Sequence, residues 1–124
     1  MKPDFRILTA ALLAAAVLSA NPAAAGGDSK SGEQLFQSHC AACHSLDTNR
    51  VGPKLGGVFG RKAGEVPGYN YSSAVKNSNA VWNAPALDKW LSGPQQMIPG
   101  QKMNFNVSDP QNRADIIAFL KSQK

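Results

Sequence analysis

Apolar residues recur along this chain at helical intervals in three places. Leu35 and Phe36, then Leu87, Trp90 and Leu91, then Ile116, Ile117, Phe119 and Leu120 each mark one face of a helix. The punctuation around them agrees. Ser31-Gly32-Glu33-Gln34 reads as a capping box, in which the Ser31 hydroxyl and the Gln34 amide satisfy each other's orphan amides, so a first helix is expected from about Gly32. Pro85 suits the first turn of a helix that ends at Ser92, with Gly93-Pro94 as its stop. The last helix is expected from Ser108-Asp109-Pro110 to about Gln123, and a shorter helical stretch from Tyr71 to Lys76. Strand alternation is weak throughout. Between Val51 and Gly68 stand six glycines and two prolines with no sustained period. A segment that long and irregular counts against a compact domain, unless it wraps a bound group. The pattern predicts an all-α protein of three to five helices with extended loops.

One further apolar run, Ile7 to Leu18, is unbroken rather than periodic. Lys2 and Arg6 precede it, and Ala23-Ala24-Ala25 follows as an A-x-A cleavage site, which is the layout of a secretory signal. A membrane anchor needs about 20 apolar residues; Ser19, Asn21 and Pro22 interrupt this run too early. Residues 1–25 are therefore expected to be a removed signal and residues 26–124 a single domain, exported to the periplasm and without stable membrane insertion after cleavage.

The first helix is expected to run into Cys40-Ala41-Ala42-Cys43-His44, and C-x-x-C-H is the attachment pattern for a covalent c-type haem. Two thiols add to the haem vinyl groups as thioethers, and the adjacent imidazole ligates the iron. On a helix, positions i, i+3 and i+4 share a face, so Cys40, Cys43 and His44 can address one flat ligand. Three other readings compete. A thioredoxin-like pair needs a preceding strand and βαβ context, and no strand pattern precedes Cys40. A zinc site needs further ligands, and only His39 remains among histidines and cysteines. The third is a plain disulfide between Cys40 and Cys43.

Composition changes the picture once the leader is set aside. The 43% hydrophobic content falls without residues 1–25, and a small domain is already poor at burying surface, so a flat apolar cofactor is expected to supply the centre of the core. Loss of Lys2, Arg6 and Asp4 takes the formal charge from +5 to +4. No basic run interleaved with aromatics is present, so nucleic acid is not an expected partner. A moderately basic surface suits acidic docking surfaces on protein partners.

Iron held by one histidine needs a sixth ligand or an open site. Candidates are His39, Met97 and Met103. His39 projects from a different part of the helix and reads as a surface residue. Met97-Ile98-Pro99-Gly100-Gln101-Lys102-Met103-Asn104-Phe105 reads as a non-helical, proline-braced segment able to carry a sulfur to a metal, although the commonest fate of a methionine is ordinary core.

Taken in order, these motifs resemble the class I c-type cytochromes, the small soluble family that includes mitochondrial cytochrome c and its bacterial relatives. The resemblance covers nearly all of residues 26–124. It is carried by Gly32 with Phe36, C-x-x-C-H, Gly52-Pro53-Lys54-Leu55, Gly60-Arg61-Lys62, Pro67-Gly68-Tyr69-Asn70-Tyr71, Trp82, Ile98-Pro99-Gly100-x-Lys102-Met103-x-Phe105 and Arg113-Ala114-Asp115-Ile116-Ile117-Ala118-Phe119-Leu120-Lys121. It implies the cytochrome c fold around one haem c, covalent through Cys40 and Cys43, with His44 and Met103 on the iron and Met97 in a packing position. Pro53 would orient His44 by accepting its other ring N–H through the backbone carbonyl. Arg61, Tyr71 and Trp82 would meet the haem propionates, and Gly32 and Phe119 would mark the crossing of the first and last helices.

The resemblance also implies a function: a monomeric, non-enzymatic, one-electron carrier between transient respiratory, photosynthetic or dehydrogenase partners. The rival is a haem enzyme or a gas or redox sensor with a labile methionine ligand. Some positions depart from the family. Docking lysines of the mitochondrial carriers fall here on His39, Gln95 and Gln96, leaving Lys102, Lys62 and Arg50 as candidates. Val75 and Gln101 stand where polar residues tune the methionine side of the haem, and the loop from His44 to Gly52 is shorter than in the mitochondrial form.

Overall fold

The computed structural model describes residues 26–124, and the leader expected at 1–25 lies outside them. Among the described residues five α-helices are formed: α1 (Ser29–Leu35), α2 (Ser73–Lys76), α3 (Ala84–Ser92), α4 (Pro94–Met97) and α5 (Pro110–Ser122). Among the described residues the only β pairing is an isolated bridge between Lys62 and Val81. The all-α expectation holds.

α1 begins earlier than the Ser31 box predicts, and the reason is tertiary. Asp28 is the N-cap, its carboxylate accepting from the Ser31 amide at 2.9 Å. The reciprocal bond of a capping box comes from the other end of the chain: the Asp28 amide donates to Oδ1 of Asp115, on α5, at 2.8 Å. Gln111 donates to the same oxygen at 3.0 Å, so the buried Asp115 carboxylate is well supplied with donors. Ser31 is left inside the first turn.

The two helices cross where Gly32 meets α5. A Cβ at Gly32 would lie 1.9 Å from the Asp115 carbonyl oxygen and 2.8 Å from the Phe119 Cβ, so the backbones touch only because position 32 has no side chain. Beside the crossing, the Phe36 and Phe119 rings pack at 5.3 Å, and Ile116, Leu120, Leu87 and Leu91 close the core around them. Gly32→Val should force the helices apart at a cost of about 2–3 kcal/mol, equivalent to a fall of about 10–20 °C in the melting temperature of a domain this size. Thermal unfolding of the haem-loaded protein checks it; an unshifted midpoint would show that the crossing tolerates a side chain.

Past Leu35 the helix widens to a π-helical turn, Phe36–Cys40, in which the Ala41 amide reaches the Phe36 carbonyl at 2.9 Å. The attachment motif therefore sits at the end of a helix rather than within one. Further along, local capping sets the boundaries: Ser72 caps α2, Asn83 caps α3 and Asp109 caps α5, each accepting from a backbone amide of the first turn. Gly93-Pro94 ends α3 at Ser92 as expected, but the chain after it is not non-helical from Met97. Extended backbone at Gly93 breaks α3, and Pro94 opens α4, so Met97 closes a short helix and only the residues after it form the non-helical segment.

The glycine-rich stretch from 51 to 68 is anchored by distant backbone partners. Leu55 and Gly56 donate to Ser45 and Leu46, Gly57 to Gln123, Gly60 to Trp82 and Ala63 to Ala80. A loop with this many long-range bonds is a fixed wall rather than a free connection.

Candidate functional site

Cys40 and Cys43 are free thiols at the C-terminal end of the π-helical turn, Cys40 half-buried and Cys43 exposed. That is the wrong end of a helix for a reactive thiolate, which the positive N-terminus stabilises. Burial, with the neighbouring Cys43 adding to it, pushes the Cys40 thiol up to about 11. The pair is not placed as a thioredoxin-like redox couple. Nor is it placed for zinc, since no cluster of three or more His, Cys, Asp or Glu forms among the described residues.

His44 follows on the same turn, its amide bonded to the Cys40 carbonyl at 2.8 Å. Its Nδ1 lies 2.8 Å from the carbonyl oxygen of Pro53. A carbonyl only accepts, so Nδ1 donates, and the neutral ring presents the lone pair of Nε2. Burial holds the imidazole below its ordinary pKa; the bond to Pro53 opposes this, and the nearby Arg50 charge adds to it. The ring is thus neutral, oriented and able to ligate a metal.

Two residues that hold this turn were not assigned such a role from the sequence. Arg50 folds back onto the motif, its Nη1 donating to the Ala41 carbonyl at 2.6 Å and its Nη2 to Ala42 at 3.4 Å. It caps carbonyls that the helix end leaves without partners. Gly52 packs flat against the imidazole: a Cβ there would lie 2.2 Å from Cε1 of His44. In the sequence only its place before Pro53 marks it. Shape complementarity to a ring eight positions earlier is invisible in a linear pattern.

The segment after α4 carries Met103. Met97 and Met103 are both half-buried and packed against the core, so burial does not separate them. What distinguishes Met103 is bracing. Its amide donates to Oε1 of Gln101, whose Nε2 donates to Oε1 of Gln95 on α4 at 3.2 Å. Next to it, Nζ of Lys102 donates to the Asn70 carbonyl at 3.2 Å. Gly100, at φ +91°, turns the chain against Ala74 of α2. His39 is exposed and stacks on Phe105 at 5.8 Å, as a surface residue does.

Arg61, Tyr71 and Trp82 form the third group. Arg61 and Trp82 are joined through the backbone, the Trp82 amide donating to the Arg61 carbonyl at 2.9 Å. The Arg61 guanidinium donates to the carbonyls of Lys54 at 3.0 Å and Gly56 at 3.3 Å. Burial lowers its pKa, and Tyr71 beside it partly offsets that. Tyr71 accepts from the Val66 amide at 3.1 Å and keeps its own hydroxyl proton to donate. Trp82 is buried, edge-on to Trp90 at 5.2 Å.

Several apolar side chains pack on the core without being closed over by it. Leu46, Leu55, Phe59, Tyr71, Ala74, Met97 and Met103 are each half-buried against it. Two free thiols, a neutral imidazole, thioether sulfurs, an apolar surface and a partly buried arginine match what a covalent haem requires of its protein. Of the basic residues suggested for docking, Arg50 and Lys102 are engaged as described, and Lys62 lies 3.9 Å from Glu65.

Comparison with known proteins agrees with the geometry. The cytochrome c family profile matches residues 29–124. The chain is 44% identical over 117 residues to cytochrome c2 of Rhodomicrobium vannielii, covering 91% of this chain and 93% of that one. It is 46% identical over 99 residues to cytochrome c of Sesamum indicum, covering 77% and 89%. Among solved structures, cytochrome cH from Methylobacterium extorquens superposes with a TM-score of 0.75 at 46% identity, over 78% of this chain and 100% of that one. The chain belongs to the cytochrome c family and has the cytochrome c fold. With that membership come covalent haem c, for which Cys40 and Cys43 are the attachment cysteines, and the role of a haem electron carrier.

Proposed function

We propose that the protein is an exported periplasmic one-electron carrier, not an enzyme, with His44 and Met103 as the two axial ligands of its haem iron. The observation that carries this reading is the imidazole of His44, held neutral with Nδ1 bonded to Pro53 and Nε2 left for the metal. When bound, the haem supplies a reversible Fe(III)/Fe(II) couple. The protein's part is to hold both ligands still. Gly52 and Pro53 fix His44, while Gln101, Lys102 and Gly100 brace the segment bearing Met103. Arg61, Tyr71 and Trp82 are the groups assigned to the propionates, which are costly to bury unpaired.

Export is supported by the charged, apolar and A-x-A leader. The 91% coverage of this chain by the Rhodomicrobium match is more than residues 26–124 alone can supply, so the alignment extends into the leader. No helix among the described residues is long and apolar enough to cross a membrane. The carrier is proposed to act as a monomer through brief complexes with redox proteins.

The reading predicts a closed iron. Reduced protein at neutral pH should bind carbon monoxide only slowly; rapid binding would favour a labile methionine and a sensor or enzyme. The bracing makes a further prediction. Gln101→Leu leaves the Met103 amide without its acceptor, a loss of about 1–1.5 kcal/mol that should make cyanide displace Met103 from ferric iron about tenfold faster. Stopped-flow cyanide binding checks it, and an unchanged rate would show that Gln101 does not hold the ligand.

A further inference from the structure

A groove of about 260 Å³ opens between α4 and the segment carrying Met103, and no charged side chain lines it. Gln95, Gln96, Gln101 and Asn106 form much of its polar lining, with Met103 and Phe105 as the large apolar groups. Phe105 is 39% exposed, one of only three large hydrophobic residues so open among those described. It stacks on His39, the residue before Cys40, and Cys43 is itself exposed. The groove therefore borders the edge at which the thioethers fix the haem, and it is lined by the proposed axial methionine.

The lining itself holds none of the chain's positive charge, although cations border it. Arg50 is folded onto the carbonyls of the attachment turn, and Arg113 is paired with Asp88 at 2.7 Å. Lys102, between the lining residues Gln101 and Met103, donates to the Asn70 carbonyl, and Lys89 lines the neighbouring pocket, which shares Ser92, Gly93 and Gln96 with this groove. An acidic patch brought against the groove would lose its hydration and find no cation lining it to pair with. An uncharged patch has no such cost. Amide and hydroxyl groups can bond to the glutamines and asparagines, and an apolar side chain can cover Phe105.

We propose that this groove is the docking site for the redox partner, and that the partner meets it with an uncharged patch, apolar at the centre and amide- or hydroxyl-bearing around it. This rests on the carrier reading above and replaces the acidic partner that net charge alone suggests. The interface is of the small, transient class typical of electron-transfer complexes. Docking there depends weakly on salt.

The test uses the haem-loaded protein at gold electrodes carrying monolayers of equal chain length, one ending in mixed methyl and hydroxyl groups and one in carboxylates. Electron exchange should be at least about tenfold faster at the uncharged layer, and should change less than about twofold as ionic strength rises from about 0.02 to 0.5 M. Gln96→Lys with Asn106→Lys should shift the preference to the carboxylate layer and make exchange there fall with salt. Phe105→Ser should slow exchange at the uncharged layer about tenfold while leaving the visible spectrum unchanged. Faster exchange of the unaltered protein at carboxylate, lost on adding salt, would overturn the proposal. A haem that ascorbate fails to reduce in free solution would overturn the carrier reading itself, and this proposal with it.

Discussion

Replacing Cys40 and Cys43 together with alanine should yield protein with no haem left after acid-acetone extraction and with little stable tertiary structure. The first part follows from the attachment chemistry, because two thioethers are the only covalent hold on the group. The second follows from packing. Leu46, Leu55, Phe59, Tyr71, Ala74, Met97 and Met103 are half-buried, and without a cofactor their open faces meet water. The described domain has few large apolar residues to spare, and a domain of its size has only about 5–10 kcal/mol of stability in all. Loss of that apolar cover is expected to remove most of it. Near-ultraviolet circular dichroism and denaturant titration would measure the loss; haem retained through extraction would refute attachment through these cysteines.

Met103→Ala should abolish the methionine-to-ferric-iron charge-transfer band and let the reduced protein bind carbon monoxide rapidly. A thioether sulfur favours the reduced iron, so the reduction potential should fall as well, by on the order of 0.1–0.2 V within the roughly 0.8 V range that axial ligands command. Met97→Ala is the control that gives the experiment its discrimination. Both methionines are half-buried against the same core, yet Met97 closes α4 while Met103 sits on the segment braced by Gln101, Lys102 and Gly100. The band should survive Met97→Ala. Its loss there, and its survival in Met103→Ala, would reassign the ligand.

Features that depend on near neighbours were legible in the sequence. α5 was readable because Asp109, Pro110 and the apolar positions 116, 117, 119 and 120 all act within one helix. The attachment motif was readable because its chemistry requires contiguous residues, and the glycine-rich stretch because only a wrapped group explains so long an irregular segment. What escaped the sequence depends on distant partners. The start of α1 is set in part by Asp115, far along the chain, so the local pattern points to a box at Ser31 while the cap is Asp28. The π-helical turn and the restart of a helix at Pro94 are backbone geometries that no residue type announces.

At the site the same division holds. Cys40, Cys43 and His44 were identified from their own chemistry, whereas Met103, Pro53, Arg61, Tyr71 and Trp82 needed the family resemblance. The bond from His44 to Pro53 is present, and Arg61 stands beside both Trp82 and Tyr71. Arg50, Gly52 and Gln101 show the limit most clearly. Each acts through a contact that exists only once the chain is folded, so Arg50 read as a docking charge when it caps the attachment turn, and Gln101 as a departure from the family when it holds the Met103 amide.

The visible absorption spectrum of the exported, purified protein, recorded oxidised and then reduced, tests the central claim most directly. A covalent haem ligated by His44 and Met103 should be low-spin in both states, with a sharp reduced α band and a weak charge-transfer band from the methionine in the oxidised form. A high-spin spectrum in either state, or an oxidised form without that band, would contradict it.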